Sequence, residues 1–172
     1  MATILFKRGE FFVARYTAID VAHWFIDKNQ YLECFADGAG DLTLLKLLKL
    51  LYYAEGCSLA LDRGSLFDEP ILAWEHGPVV ESVWRAYNQN PFKLKLKKAD
   101  LRSIEMINAN AEDRNLLEEV FDVFGQYSAW ALREKTHKET PWIETTKNGK
   151  ILNGVIERDL IKDYFKNHYI EE

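Results

Sequence analysis

Residues Leu42–Leu61 read LTLLKLLKLLYYAEGCSLAL. The run is apolar on almost every side of a helix, and such a helix is normally the buried centre of a domain. At roughly 100° per residue, Lys46, Lys49 and Tyr53 share a narrow polar stripe. Glu55 falls on the opposite side, beside Leu44, Leu48 and Leu51. An isolated buried carboxylate is very costly, so Glu55 must be paired, hydrogen-bonded or placed at an opening. Two readings stay open: a structural acid held by hydrogen bonds, or a functional acid with a raised pKa. The same run is not a membrane span. Lys46, Lys49 and Glu55 lie inside it, and a charge near a bilayer centre costs roughly 2.5–3.5 kcal/mol.

The surrounding sequence extends the helical pattern. TAIDVAHWFIDKNQYLECFA puts Ala18, Val21, Ala22, Phe25, Tyr31, Leu32 and Phe35 on one stripe, and Thr17 with Asp20 forms a capping box. DGAGD then breaks the helix. In EDRNLLEEVFDVFG the stripe is Leu116, Leu117, Val120, Phe121 and Phe124, with Gly125 as the stop. Ser128 caps a helix that Pro141 prevents from continuing. A turn at Asn148-Gly149 leads to a last amphipathic helix, VIERDLIKDYFKNHYI. Between these lies ILAWEHGPVVESVW, whose strand-formers end at Trp74 and suggest a small β-hairpin. Pro78 there suits the first turn of a helix, and Glu81 favours its dipole. FKLKLKKADL alternates Phe92, Leu94 and Leu96 with Lys93, Lys95 and Lys97. It reads either as an edge strand guarded by lysines or as a partner-binding patch for acidic protein or nucleic acid, and with one Phe its aromatic interleaving is thin for nucleic acid. The expected fold is mainly α: a compact single-domain helical fold around the buried helix at about 42–61, with a small β-hairpin or short sheet. Residues 1–16, with TILF and FFVARY flanking KRGE, form an N-terminal arm or short hairpin. Residues 17–172 form the body.

The totals narrow the function. The chain has 172 residues, 48% hydrophobic and 28% charged, which is the composition of one globular domain. Its net charge of −5 and pI near 5.5 give no general case for nucleic acid. Cys34 and Cys57 form neither a disulfide framework nor a metal pair, so a reducing cytoplasm is the expected compartment. The four histidines make no HExxH or HxH pair, and phosphate-binding glycine motifs and GxSxG are lacking. No catalytic residue, metal site or cofactor is therefore expected. Glu75 and His76 are neighbours that point to opposite faces on a strand. His137 could meet His76 across the fold, each near a proline and a tryptophan.

At these residues the chain resembles a known family. LLKLLKLLYYAEGCSLAL, LFDEP, ILAWEHGPVVESVW and ALREKTHKETPW match, in order, the signature of the Panacea domain, the SocA-like and phage-associated GepA-like group. The resemblance implies a mainly helical antitoxin of a bacterial or phage toxin–antitoxin unit. Such a protein neutralises a cognate protein toxin, encoded by the adjacent gene, by direct contact. It implies no enzyme. Whether a cytoplasmic protease takes part and whether the chain forms homo-oligomers stay open; no membrane or nucleic-acid partner is implied. The family-like positions are Lys46, Leu50, Leu51, Tyr52, Trp74, Gly77, Pro78, Val79, Thr136, His137, Pro141 and Trp142, most of which read as scaffold. His76 stands where an aromatic such as Tyr also occurs, and Leu48 stands where a polar residue is often seen. Phe11, Phe12 and Arg15 of the arm, with Lys93, Lys95 and Lys97, are the expected partner contacts. The alternative is a small enzyme or ligand-binding domain with a pocket formed by Glu55, Glu75, His76 and His137.

Overall fold

The computed structural model describes residues 14–35 and 42–171. The elements run α1 (Ala18–Phe35), α2 (Leu44–Ala60), β1 (Ile71–Trp74), β2 (Gly77–Val80), α3 (Glu81–Tyr87), α4 (Leu101–Ala109), α5 (Ala111–Phe124), α6 (Ala129–Thr136), α7 (Thr140–Thr146), β3 (Gly154–Val155) and α8 (Arg158–His168). The fold is mainly α with a small antiparallel sheet, as the sequence indicates.

Helix α2 is the axis. Thr43 caps it, its hydroxyl accepting the Lys46 N–H. Around it pack α8, α5, β2, α6 and α1, so its residues are buried on all sides. The expected polar stripe does not reach water. Lys49 and Tyr53 are fully buried and Lys46 nearly so: Pro78 of β2 and Arg133 of α6 lie at Lys49, while Phe124, Phe165 and Tyr169 pack on Tyr53. Gly56 sets the approach of α8. A Cβ on it would stand 2.4 Å from the Phe165 ring, so no larger residue fits without displacing that ring.

Helix α1 opens with the expected capping box. Thr17 N–H donates to Asp20 Oδ2 at 2.9 Å, and Asp20 N–H donates to Thr17 Oγ1 at 3.2 Å. Ala18, Val21, Ala22 and Phe25 are buried, but Tyr31 is 61% exposed. Six residues on from Phe25, it points about 120° off that face. The arm hairpin, Phe11, Phe12 and the DGAGD break lie outside the described residues.

The hairpin forms with Ile71 opposite Val80 and Trp74 opposite Gly77. Strand β3 covers the other edge of β1, with Leu72 opposite Val155. Pro78 is therefore not in a helical turn. It sits in an edge strand opposite Ala73, where a missing N–H costs no ladder bond if it faces outward. Gly77 has φ +95°, a conformation that suits glycine. Glu81 does open α3, and it pairs with Arg85 at 2.9 Å.

The lysine-rich segment is not a strand. Its alternation is real: Leu94 is buried and Leu96 half-buried, while Lys93, Lys95 and Lys97 are exposed. The leucine side docks beside α1 instead of a sheet, with Gln30 Nε2 donating to the Leu94 carbonyl at 3.3 Å. Helix α5 buries the predicted stripe, and Ser128 caps α6 by accepting the Ala131 N–H. Gly125 follows α5 in a right-handed conformation, so its stop does not use left-handed glycine geometry. Helix α6 stops at Thr136, ahead of Pro141, and Pro141 lies in the first turn of α7. Among the described residues, no helix is long and apolar enough to cross a membrane.

Candidate functional site

The hairpin tip is seated on the N-terminal half of α2 and the end of α6. Lys49 Nζ donates to the Pro78 carbonyl at 3.0 Å. Gly77 lies so close that a Cβ there would be 2.7 Å from Thr136 Oγ1 and 2.9 Å from Lys49 Nζ. Thr136 Oγ1 in turn donates to the Arg133 carbonyl at 2.9 Å. Both ring nitrogens of His137 face carbonyl oxygens, Arg133 O at 2.7 Å and Glu75 O at 2.8 Å. A neutral imidazole can donate to one of these; an imidazolium donates to both. The ring lies 3.9 Å, centroid to centroid, from Trp142, whose Nε1–H donates to the Trp74 carbonyl at 2.9 Å.

This corner gathers Trp74, Gly77, Pro78, Thr136, His137 and Trp142 of the family-like positions. Val79 and Pro141 are buried near it, while Leu50, Leu51 and Tyr52 belong to the core. The electrostatics of the corner centre on Lys49. It is fully buried, and among the described residues no carboxylate pairs with it. Burial pushes its pKa down to about 7, and the nearby Arg133 adds to the shift. Burial also lowers the pKa of Lys46.

Outside the corner runs an apolar groove of about 330 Å³, lined by Leu45, Leu48, Trp74, His76, Trp84 and Pro91 among others. Trp74 and Trp84 meet edge to face at 5.3 Å. Trp130, 60% exposed, stands edge-on to His76 at 5.8 Å. The Arg133 guanidinium lies 5.5 Å from the centre of the Trp130 ring. Arg133 Nε also donates to His76 Nδ1 at 3.3 Å. So His76 and His137 are brought to one neighbourhood through Arg133. Tryptophan and arginine are the residue types enriched at protein interfaces.

Among the described residues, three buried carboxylates lie elsewhere. Glu55, the anomaly of the central helix, is fully buried. Its carboxylate accepts the Leu66 N–H at 2.8 Å and Arg158 Nε at 3.2 Å. Burial still outweighs these donors and raises its pKa. Asp113 accepts from Arg15 Nε at 2.9 Å, Arg63 at 2.9 Å and the Tyr16 hydroxyl at 2.8 Å. Arg15 thus directs its guanidinium into the fold, reaching Ser58 Oγ and the Arg63 carbonyl as well. The third acid, Glu139, is missing from the sequence reading. It accepts hydroxyl bonds from Tyr52 at 3.0 Å, Tyr53 at 2.9 Å and Tyr169 at 2.6 Å, and burial raises its pKa. One signal pointed toward it: two adjacent tyrosines in a buried helix need hydroxyl partners.

Lys93, Lys95 and Lys97 line a second hollow of about 290 Å³, together with Tyr87, Gln89 and Asn90. Among the described residues, no group of three His, Cys, Asp or Glu could hold a metal ion. Glu55 does not join Glu75, His76 and His137. It is bound to Arg158 from α8 and to the chain at Leu66, while the other three meet at the hairpin tip.

Comparison with known families gives one result. The family model described as "Antitoxin SocA-like, Panacea domain" matches residues 47–143. That span runs from α2 through the hairpin to Trp142, so it holds the whole corner apart from Lys46. No curated protein and no solved structure matches the chain.

Proposed function

Because this chain belongs to the SocA-like Panacea antitoxin family, we propose that it is the antitoxin of a bacterial or phage toxin–antitoxin pair. It neutralises its toxin by direct protein contact, in the cytoplasm, and it is not an enzyme. The family match carries this reading, because it covers more than half of the chain and the corner residues from Lys49 to Trp142. The groove of Trp74 and Trp84, with Trp130 and Arg133 beside it, supplies surface of the kind that anchors protein partners.

The non-enzymatic reading has its own support. An enzyme built on Glu55, Glu75, His76 and His137 needs side chains free to act on a substrate. His137 is bonded at both ring nitrogens to carbonyls, and Glu55 is bonded to Arg158 and Leu66. Glu75 meets His137 through its backbone, not its carboxylate.

The test is co-expression. The product of the adjacent gene is expressed alone and then with this chain, scoring growth and co-purification. Toxicity alone, rescue together and a stable complex are expected. Rescue without a complex would overturn neutralisation by contact. Absence of toxicity would overturn the pairing itself.

A further inference from the structure

The aromatic groove and the lysine hollow share neighbouring lining residues along the chain. Trp84 of α3 and Pro91 line the groove. Tyr87 of the same helix and Asn90 line the hollow. Helix α3 and the turn after it therefore separate two recesses of different chemistry by a few residues. One is apolar and aromatic. The other is rimmed by three ammonium groups.

The lysines are a local inversion of charge on a chain whose net charge is −5. All three are exposed, and among the described residues none is paired with a carboxylate. They project from alternate positions because Leu94 and Leu96 are held inward. Next to them Phe92 is 80% exposed. Gln89 and Asn90, whose side chains carry neutral amides, also line the hollow. Complementary charge across an interface fixes register and speeds encounter, while a buried aromatic anchor supplies most of the affinity.

We propose that this surface docks an acidic segment of the partner protein. An apolar side chain of that segment enters the Trp74–Trp84 groove, and its carboxylates lie along Lys93, Lys95 and Lys97. The idea rests on the antitoxin reading for the identity of the partner, but its chemistry can be tested separately. A nucleic acid is the weaker occupant. Single-strand binding relies on a series of stacking aromatics along a basic groove, and the lysine segment carries Phe92 alone.

Two probes are used with the full chain: a labelled oligo-glutamate peptide containing one tryptophan, and a single-stranded oligothymidylate. The variant K93E/K95E/K97E is compared with K147E/K150E, which reverses exposed lysines that line neither recess, and with the milder K93Q/K95Q/K97Q. Thermal melting checks each fold. The peptide is expected to bind the parent chain and the K147E/K150E control alike. It should lose about tenfold or more in affinity with K93E/K95E/K97E, and less with the glutamine set. Equal affinity in all variants, or tighter lysine-dependent binding of the oligothymidylate, would overturn the proposal. The toxin then separates the two ideas. A complex that ignores the lysine variants refutes this surface and leaves the antitoxin reading standing. Lysine-dependent peptide binding without any toxin complex refutes the antitoxin reading and leaves the surface.

Discussion

The two halves of α2 bury ionisable groups in opposite ways. In the C-terminal half, Glu55 has a guanidinium and a backbone N–H. Beside it, Tyr52 and Tyr53 direct their hydroxyls to Glu139. Every charge or hydroxyl there has a partner of the right kind. In the N-terminal half, Lys49 has one carbonyl and a nearby Arg133 that repels it. The first half is a lock that ties α2 to α7 and α8. The second is an electrostatic weakness beneath the hairpin that carries the proposed contact surface. The lock and the proposed contact surface thus lie at different ends of one helix.

If that contrast is right, removing groups from the two ends gives effects of opposite sign. The largest loss is expected from Glu139→Ala, which strands three tyrosine hydroxyls, two of them buried. At about 1–3 kcal/mol for each buried unsatisfied donor, the total is about 2–6 kcal/mol, measured by urea unfolding. A loss below about 1 kcal/mol would mean that the lock is not a lock.

Next comes Gly77→Ala. The positive φ is strained for alanine, and the new Cβ meets Thr136 and Lys49. A loss of about 1–3 kcal/mol is expected, with weaker toxin binding because the hairpin tip must move.

Lys49→Met should go the other way. Replacing a buried charge by an apolar side chain of similar length is often neutral or stabilising, here by about 1–2 kcal/mol at neutral pH. The pH dependence sharpens this. The folded pKa of Lys49, about 7, lies below its unfolded value of about 10.4. Between those values the unfolded chain holds a proton that the folded chain has released, so stability rises with pH. The clean window is from about pH 7 to about 8.5. Above it, the raised pKa of Cys57, about 12, and the raised tyrosines work in the opposite direction. In Lys49→Met the rise across that window should flatten. An unchanged slope would assign it to another group.

The smallest stability effect is expected at Trp130→Ala. That ring is 60% exposed, so stability should stay within about 0.5 kcal/mol, while affinity for the toxin falls. Unchanged affinity would remove Trp130 from the contact surface.

What could be read from the sequence follows the range of the interactions. The apolar surround of Leu42–Leu61 announces a central helix, and Thr17–Asp20 and Ser128 announce their caps, since all of these are local. Glu55 stood out because a charge in an apolar run violates a local rule. Its partner Arg158 did not, because it lies more than a hundred residues away. Glu139 sits in THKETPW and looks like any exposed acid; its burial depends on Tyr52, Tyr53 and Tyr169. Pro78 satisfied the rules for a helix start and for an edge strand equally well. The pairing of Ala73 with it decided the matter, and β3 depends on the same non-local pairing. Lys49 reads as solvated until β2 and α6 are laid over it.

The most direct single measurement is backbone hydrogen exchange on this chain alone and in complex with its co-expressed toxin. The account predicts new protection in β1, β2, α3 and residues 92–97, with the C-terminal half of α2 unchanged. Protection confined to α5 and α8, or none anywhere, would contradict it.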